Sequence, residues 1–241
     1  MIQKTQVAVI GAGHAGIEAA LACARTGIDT VLFTMSLDSI ANMPCNPSIG
    51  GTGKGHLVYE IDALGGEMGR SADLVTMQSR TLNLGKGAAV HSKRVQADRV
   101  KYHNIMKHTL EMCEGLRLVQ AEIVDIGVRD GAVCSVTTAL GQVWECSAAI
   151  ICTGTYLEST IFVGNSTQDS GPDGFLPAKG LSAALEALGV KLMRFKTGTP
   201  ARVKRSTIDF SDLEIQNGEA PVTPYSYKTE DTFFDTLRQT P

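Results

Sequence analysis

The hydrophobic pattern opens with a short apolar run, Val7-Ala8-Val9-Ile10, followed by Gly11-Ala12-Gly13-His14-Ala15-Gly16 and a helical stretch over 17–26 closed by Gly27. A second apolar run, Thr30-Val31-Leu32-Phe33-Thr34, comes next. Strand, glycine turn, helix and strand within about thirty residues predict a βαβ unit that opens a parallel sheet. Residues 35–85 are glycine-rich and irregular in pattern, apart from a predicted helix over 57–68. The spacing of Val95, Val100, Ile105, Met106 and Leu110 predicts a long helix over 94–111, and the apolar residues of 116–124 predict a strand. Arg129-Asp130-Gly131 is a hairpin signal between short strands at 126–128 and 132–137. A second turn at Gly141 leads through 143–146 to a strand at 148–152, predicted to be buried and ending in Thr153-Gly154; a helix follows over 180–189. The fold class expected is α/β: a Rossmann-like domain whose parallel sheet is interrupted by a β-meander excursion.

Composition narrows the class. Of 241 residues, 43% are hydrophobic and 20% charged, enough apolar material for a sizeable core and too much for a disordered chain. No apolar stretch approaches the roughly 20 residues of a membrane span, and no secretory or Arg-rich transit pattern precedes the first strand. The six cysteines contain no Cys-x-x-Cys and suit reduced thiols, so a cytoplasmic setting is expected and no metal site is assigned. Residues 206–241 carry seven acidic and two basic residues with few aliphatics, and cannot bury much alone.

Three features carry candidate chemistry. Gly11-x-Gly13-x-x-Gly16 lies between a strand and a helix, the context a dinucleotide loop requires. Gly11 permits the tight turn, Gly13 admits the pyrophosphate, and Gly16 lets helix and strand pack. Thr34 stands where an acid would meet the ribose of NAD; together with the β excursion and Thr153-Gly154, this tips the expected cofactor toward FAD. Second, 43–57 hold four glycines and two prolines, with Cys45 between Pro44 and Pro47. A sulfur fixed in direction this way suits chemistry; a buried structural thiol is the bland alternative. Third, 86–108 carry six Lys/Arg against Asp98 alone, and 191–205 carry six with no acid. Two basic islands on an otherwise acidic chain suit a polyanion, or simply a solvated face.

The ordered motifs make the chain similar to the GidA/MnmG family, the flavoprotein subunit of a tRNA uridine 5-carboxymethylaminomethyl modification enzyme. They are the 11–16 loop, Cys45-Asn46-Pro47-Ser48-Ile49-Gly50-Gly51, Gly53-Lys54-Gly55-His56-Leu57, Asp62-Ala63-Leu64-Gly65-Gly66, Arg80-Thr81-Leu82-Asn83, Gln96-Ala97-Asp98-Arg99, Thr153-Gly154-Thr155 and Lys196-Thr197-Gly198-Thr199-Pro200-x-Arg202. The chain departs from the family pattern at Ser79, Gly85, Ala88 and His91. The resemblance implies the N-terminal portion of a longer protein: an FAD-binding domain over 1–205, incomplete at its C-terminus, and the start of an inserted NAD(H)-binding domain over 206–241. It further implies FAD bound by Gly11, Ala12, Gly13, His14, Ala15 and Gly16, with Ile123 at the end of the third parallel strand presenting backbone to the adenine and Ala178 at a helix start near the flavin. NADH as reductant, methylene-folate as one-carbon donor, Cys45 as nucleophile toward a wobble uridine, a GTPase partner subunit and a homodimer follow in the same way. Arg94, Arg99, Arg202, Lys204 and Arg205 are the charge-based candidates for tRNA phosphates. The alternatives are an FAD oxidoreductase of small substrates and an inactive RNA-binding fragment.

Overall fold

The computed structural model describes every residue except Met1 and Thr236. Its elements are β1 (Gln3–Lys4), β2 (Val7–Ile10), α1 (His14–Arg25), β3 (Thr30–Thr34), β4 (Ser48–Gly50), α2 (Gly55–Ala63), α3 (Met68–Leu74), β5 (Thr76–Leu82), β6 (Ser92–Ala97) and α4 (Arg99–Glu111). Then follow β7 (Leu116–Gln120), β8 (Ile123–Arg129), β9 (Ala132–Thr138), β10 (Val143–Glu145), β11 (Ala148–Ile151), β12 (Thr160–Val163), β13 (Ser166–Asp169) and α5 (Leu181–Ala187). They form two compact units. The first comprises residues up to Asn42 with His103–Phe195, and the second Met43–Tyr102 with Lys196–Pro241.

The first unit is built on a parallel sheet in the order β11-β2-β3-β7. β2 and β3 are interior strands, so both faces are covered and their residues form near-continuous apolar runs. α1 packs Ile17, Ala20, Leu21 and Ala24 inward. A second sheet, β1-β10-β9-β8, contributes Ile126, Val136 and Trp144 to a core shared with Ala8, Ile10, Val31 and Phe33 of the parallel sheet and Leu181 and Leu185 of α5. Phe33 and Trp144 meet edge to face with centroids 5.3 Å apart. The β8–β9 hairpin turns at Asp130 and Gly131, with φ of 53° and 78°, the left-handed pair that a two-residue turn demands.

The second unit contains the antiparallel sheet β4-β6-β5, beside which α2 and α3 pack. Residues 216–219, 223–229 and 239–240 are woven into it. Glu219 N–H donates to Ser79 O and Thr240 N–H to Met77 O, each at 2.9 Å, which occupies the free edge of β5. Tyr225 and Ser226 are buried, and their N–H groups donate to the two carboxylate oxygens of Asp73 at 2.9 Å each.

Several elements differ from the sequence expectation. The helix expected over 94–111 begins only at Arg99, because Ser92–Ala97 forms strand β6 and Asp98 Oδ1 caps α4 by accepting from the Val100 and Lys101 N–H groups at 3.1 Å. The helix expected over 57–68 is two helices. Gly65, with φ of 87°, ends α2 through bonds from Gly65 N–H to Asp62 O and Gly66 N–H to Ile61 O, a Schellman closure. The strand expected over 116–124 is likewise two strands in different sheets. β11, expected to be buried, is an edge strand with Ile151 41% exposed. Residues 35–85 hold β4 and β5 where irregular chain was expected.

Candidate functional site

In the first unit, β2 delivers Gly11 into the turn with φ of 105°, and its N–H donates to Phe33 O at 2.8 Å. A Cβ on Gly11 would come under 3.0 Å from Cys152 O, and one on Gly16 under 3.0 Å from Gly11 O, so both glycines are demanded by backbone packing. Gly13 differs: a Cβ there would meet nothing within 4 Å. Gly13 is also the N-cap of α1, which has no capping side chain and no acid in its first turn. An open cradle at an uncompensated helix N-terminus accepts an anion, so the residues present fit the pyrophosphate of a dinucleotide. The His14 imidazole is pushed below its ordinary value by burial, which favours the neutral ring beside that cradle. Thr34 ends β3 with its hydroxyl donating to Ser36 O at 2.9 Å.

Ile123 lies elsewhere than expected. The third parallel strand, β7, ends at Gln120, and Ile123 opens β8 of the antiparallel sheet opposite Thr138. Ala178 precedes α5 by three residues and is buried in a parallel bridge with Leu157, so it does not start the helix.

Cys45 lies in the second unit, half-buried in the loop that leads into β4. Its thiol donates to Gly198 O at 3.5 Å. Arg202 Nη2 donates to Pro44 O at 3.0 Å and reaches Cys45 O at 3.4 Å. The 196–202 motif therefore meets the Cys45 motif across more than 150 residues of sequence. Arg94, Arg99, Lys204 and Arg205 belong to the same unit as Cys45, and the Arg205 guanidinium lies 6.0 Å from the Phe210 ring centroid. Among the departures from the family pattern, Ser79 is buried in β5, while Gly85, Ala88 and His91 lie on an exposed loop. Asn83, with φ of 64°, ties that loop to the glycine segment: its Nδ2 donates to Thr52 Oγ1 and Val90 O at 3.1 Å each.

A buried polar cluster beneath β4 has no counterpart in the sequence reading. Tyr225 Oη donates to Lys93 O at 2.6 Å, Lys93 Nζ donates to Thr223 O, and the Lys93 ammonium lies 4.5 Å from the centroid of the Tyr225 ring. Burial lowers Lys93 to about 8 against the attraction of Asp73 and Glu219. Burial raises Asp73, opposed by the Tyr225 and Ser226 N–H groups, the Thr229 hydroxyl and the Lys93 charge. Burial also holds the Tyr225 hydroxyl well above its usual value. These residues are distant in sequence and follow no spacing rule, so nothing along the chain marks them as a group. Among the described residues, no group of three or more His, Cys, Asp or Glu side chains could hold a metal ion, and no helix is long and apolar enough to cross a membrane.

Comparison with known proteins bears on the whole chain. The tRNA uridine 5-carboxymethylaminomethyl modification enzyme MnmG of Caldicellulosiruptor saccharolyticus is 54% identical over 224 residues, covering 93% of this chain and 36% of that protein. The enzyme of the same name from Alkaliphilus oremlandii is 55% identical over 224 residues, with the same coverage. The chain thus spans about a third of the length of the curated relatives it matches. The crystal structure of Aquifex aeolicus GidA superposes with a TM-score of 0.90 at 46% identity, over 95% of this chain and 38% of that one. The GidA-related protein of Thermus thermophilus shares the fold at a TM-score of 0.55 and 22% identity, over 77% of this chain and 68% of that one. The family described as glucose inhibited division protein A matches residues 6–240, and the chain belongs to that family.

Proposed function

We propose that the chain carries the flavin-pyrophosphate loop and the reactive cysteine segment of a flavoprotein that installs the 5-carboxymethylaminomethyl group on the wobble uridine of tRNA. The observation that carries this reading is the open Gly13 cradle at the bare N-terminus of α1, in a chain matched by its family over nearly its full length. In this reading Gly11 to Gly16 hold the pyrophosphate of FAD, and Ile123 and Ala178 contribute backbone near the adenine and flavin ends. FAD supplies the redox and one-carbon chemistry, with NADH as reductant and methylene-folate as donor.

The chain's own contribution to bond-making is Cys45. C5 of uracil is a poor nucleophile. Addition of the Cys45 sulfur to C6 moves the ring electron pair toward C5 and O4, creating an enolate whose C5 attacks the carbon of an iminium formed from the one-carbon unit and an incoming amine, the C=N electron pair passing to nitrogen. Loss of the C5 proton then expels the thiolate and restores the ring. Arg94, Arg99, Lys204 and Arg205 supply positive charge for tRNA phosphates in the same unit as Cys45. Residues 206–241 lead into an inserted NAD(H)-binding domain of the longer protein. That protein acts in the cytoplasm as a homodimer with a GTPase subunit.

Cys45→Ala in the intact protein abolishes wobble modification while flavin stays bound; full activity in that variant removes Cys45 from the reaction. Replacing any one of Arg94, Arg99, Lys204 and Arg205 lowers the salt slope of tRNA binding by about 1. An unchanged slope in all four single variants defeats the polyanion reading of this face.

A further inference from the structure

We infer that Arg202 is a positioning residue for Cys45: it clasps the carbonyl side of the cysteine loop so that the sulfur stays on the Gly198 carbonyl. The inference rests on the proposed role of Cys45. Two contacts from one short segment carry it. Arg202 Nη2 bonds Pro44 O at 3.0 Å and reaches Cys45 O at 3.4 Å, while Gly198 O accepts from the Cys45 thiol at 3.5 Å.

The two contacts act on different atoms. The guanidinium holds the carbonyls of the two peptides that flank the Cys45 Cα, and the Gly198 carbonyl fixes the side-chain rotamer. Pro44 and Pro47 restrict the same loop from within, because each fixes its own φ and restricts the residue before it. Only three residues lie between Gly198 and Arg202, so loss of the Arg202 contact frees both anchors together. Arg202 is exposed, yet it spends a donor on neutral carbonyls although solvent is available to it. Both contacts come from one nitrogen, Nη2, whose two N–H donors are held in the guanidinium plane, whereas a lysine ammonium is a freely rotating point charge. Charge alone would place Arg202 among the phosphate contacts; its bonds assign it to the loop.

The test is alkylation of the native protein by iodoacetamide. The cysteine sulfur displaces iodide to form a thioether, the thiol proton passes to solvent, and labelling is followed residue by residue by peptide mass spectrometry. Arg202→Ala raises the Cys45 labelling rate roughly fivefold, the factor of one modest hydrogen bond, while Cys113 and Cys134 label as before. Arg202→Lys is intermediate, and added methylguanidinium returns Arg202→Ala toward the parent rate, which a general loss of structure would not allow. Cys45 labelling within twofold of the parent in Arg202→Ala overturns the inference, as does equal acceleration at Cys113 and Cys134. If the labelling pattern holds while Cys45→Ala keeps full wobble modification in the intact protein, the clasp stands and the catalytic reading of Cys45 falls.

Discussion

Gly50→Ala tests how the cysteine motif is held from below. Gly50 has φ of 83°, and a Cβ there would lie under 3.0 Å from both the Tyr225 hydroxyl and Lys93 O. The left-handed backbone alone costs an alanine about 1–2 kcal/mol. The collision adds more, since Tyr225 must withdraw from its 2.6 Å bond to Lys93 O, which keeps its bond from the Gly51 N–H, and the buried hydroxyl loses that partner at about 1–3 kcal/mol. The sum is near 3 kcal/mol, and at about 2–4 °C per kcal/mol the melting temperature should fall by roughly 6–12 °C. Gly53→Ala is the control, because φ is 73° there but the space is open, so only backbone strain of about 1–2 kcal/mol applies and the expected fall is about 2–8 °C. Tyr225→Phe removes the colliding hydroxyl but not the Lys93 O collision, so Gly50→Ala should cost about 1 kcal/mol less in that background. Thermal unfolding by circular dichroism of the four variants closes the cycle. Equal shifts for Gly50→Ala and Gly53→Ala, or strict additivity with Tyr225→Phe, would refute the reasoning.

Three further outcomes follow from the same geometry. Burial lowers Lys93 from 10.5 to about 8, so between those values the unfolded chain binds more protons and stability rises with pH. From pH 8 to 10 the gain should be about 1–2 kcal/mol, vanishing in Lys93→Met; parallel profiles for the two proteins would contradict it. Asp73→Ala strands the buried Tyr225 and Ser226 N–H groups, at about 3 kcal/mol, and should open the chain to tryptic cleavage at Lys228; resistance equal to the parent would show that the carboxylate is not the anchor. Gly13→Ala should keep the parent melting temperature within about 2 °C yet lose flavin on desalting, whereas Gly16→Ala should fail to fold, because its Cβ would strike Gly11 O. Unchanged flavin retention in Gly13→Ala would remove the cradle.

The parts of the fold legible in the sequence are those where local periodicity and burial coincide. Val7–Ile10, Thr30–Thr34 and the Asp130-Gly131 turn need only apolar runs and turn chemistry. The failures share a cause. Ser92–Ala97 buries a serine and a lysine beside Val95 and Ala97, so no apolar alternation announces the strand, and the helix pattern of α4 reads back over it. Leu116 to Val124 is apolar enough to look continuous, but Ala121 N–H turns to Thr34 O and the chain changes sheets. The acidic stretch after 205 offers few aliphatics, yet Tyr225 and Ser226 are buried because Asp73 accepts their N–H groups. Polar burial of that sort leaves no hydrophobic signature.

For the candidate site, the limit is that a glycine looks the same whatever its job. Gly13 and Gly50 both sit in motifs read as room for a ligand, but their surroundings differ. Space beside Gly13 is open, while the space beside Gly50 is filled by a tyrosine hydroxyl from 175 positions further along the chain. The first glycine leaves open space at a helix N-terminus, and the second is needed for what is already packed. The same division separates Arg202 from Lys204: each is a cation in one basic island, and only the first is committed to the cysteine loop. Contacts spanning 150 residues pair groups that no local window contains. Residue types nominated Cys45 and Gly13, and only the fold could distinguish the glycines and cations tied into the packing from those left open to solvent.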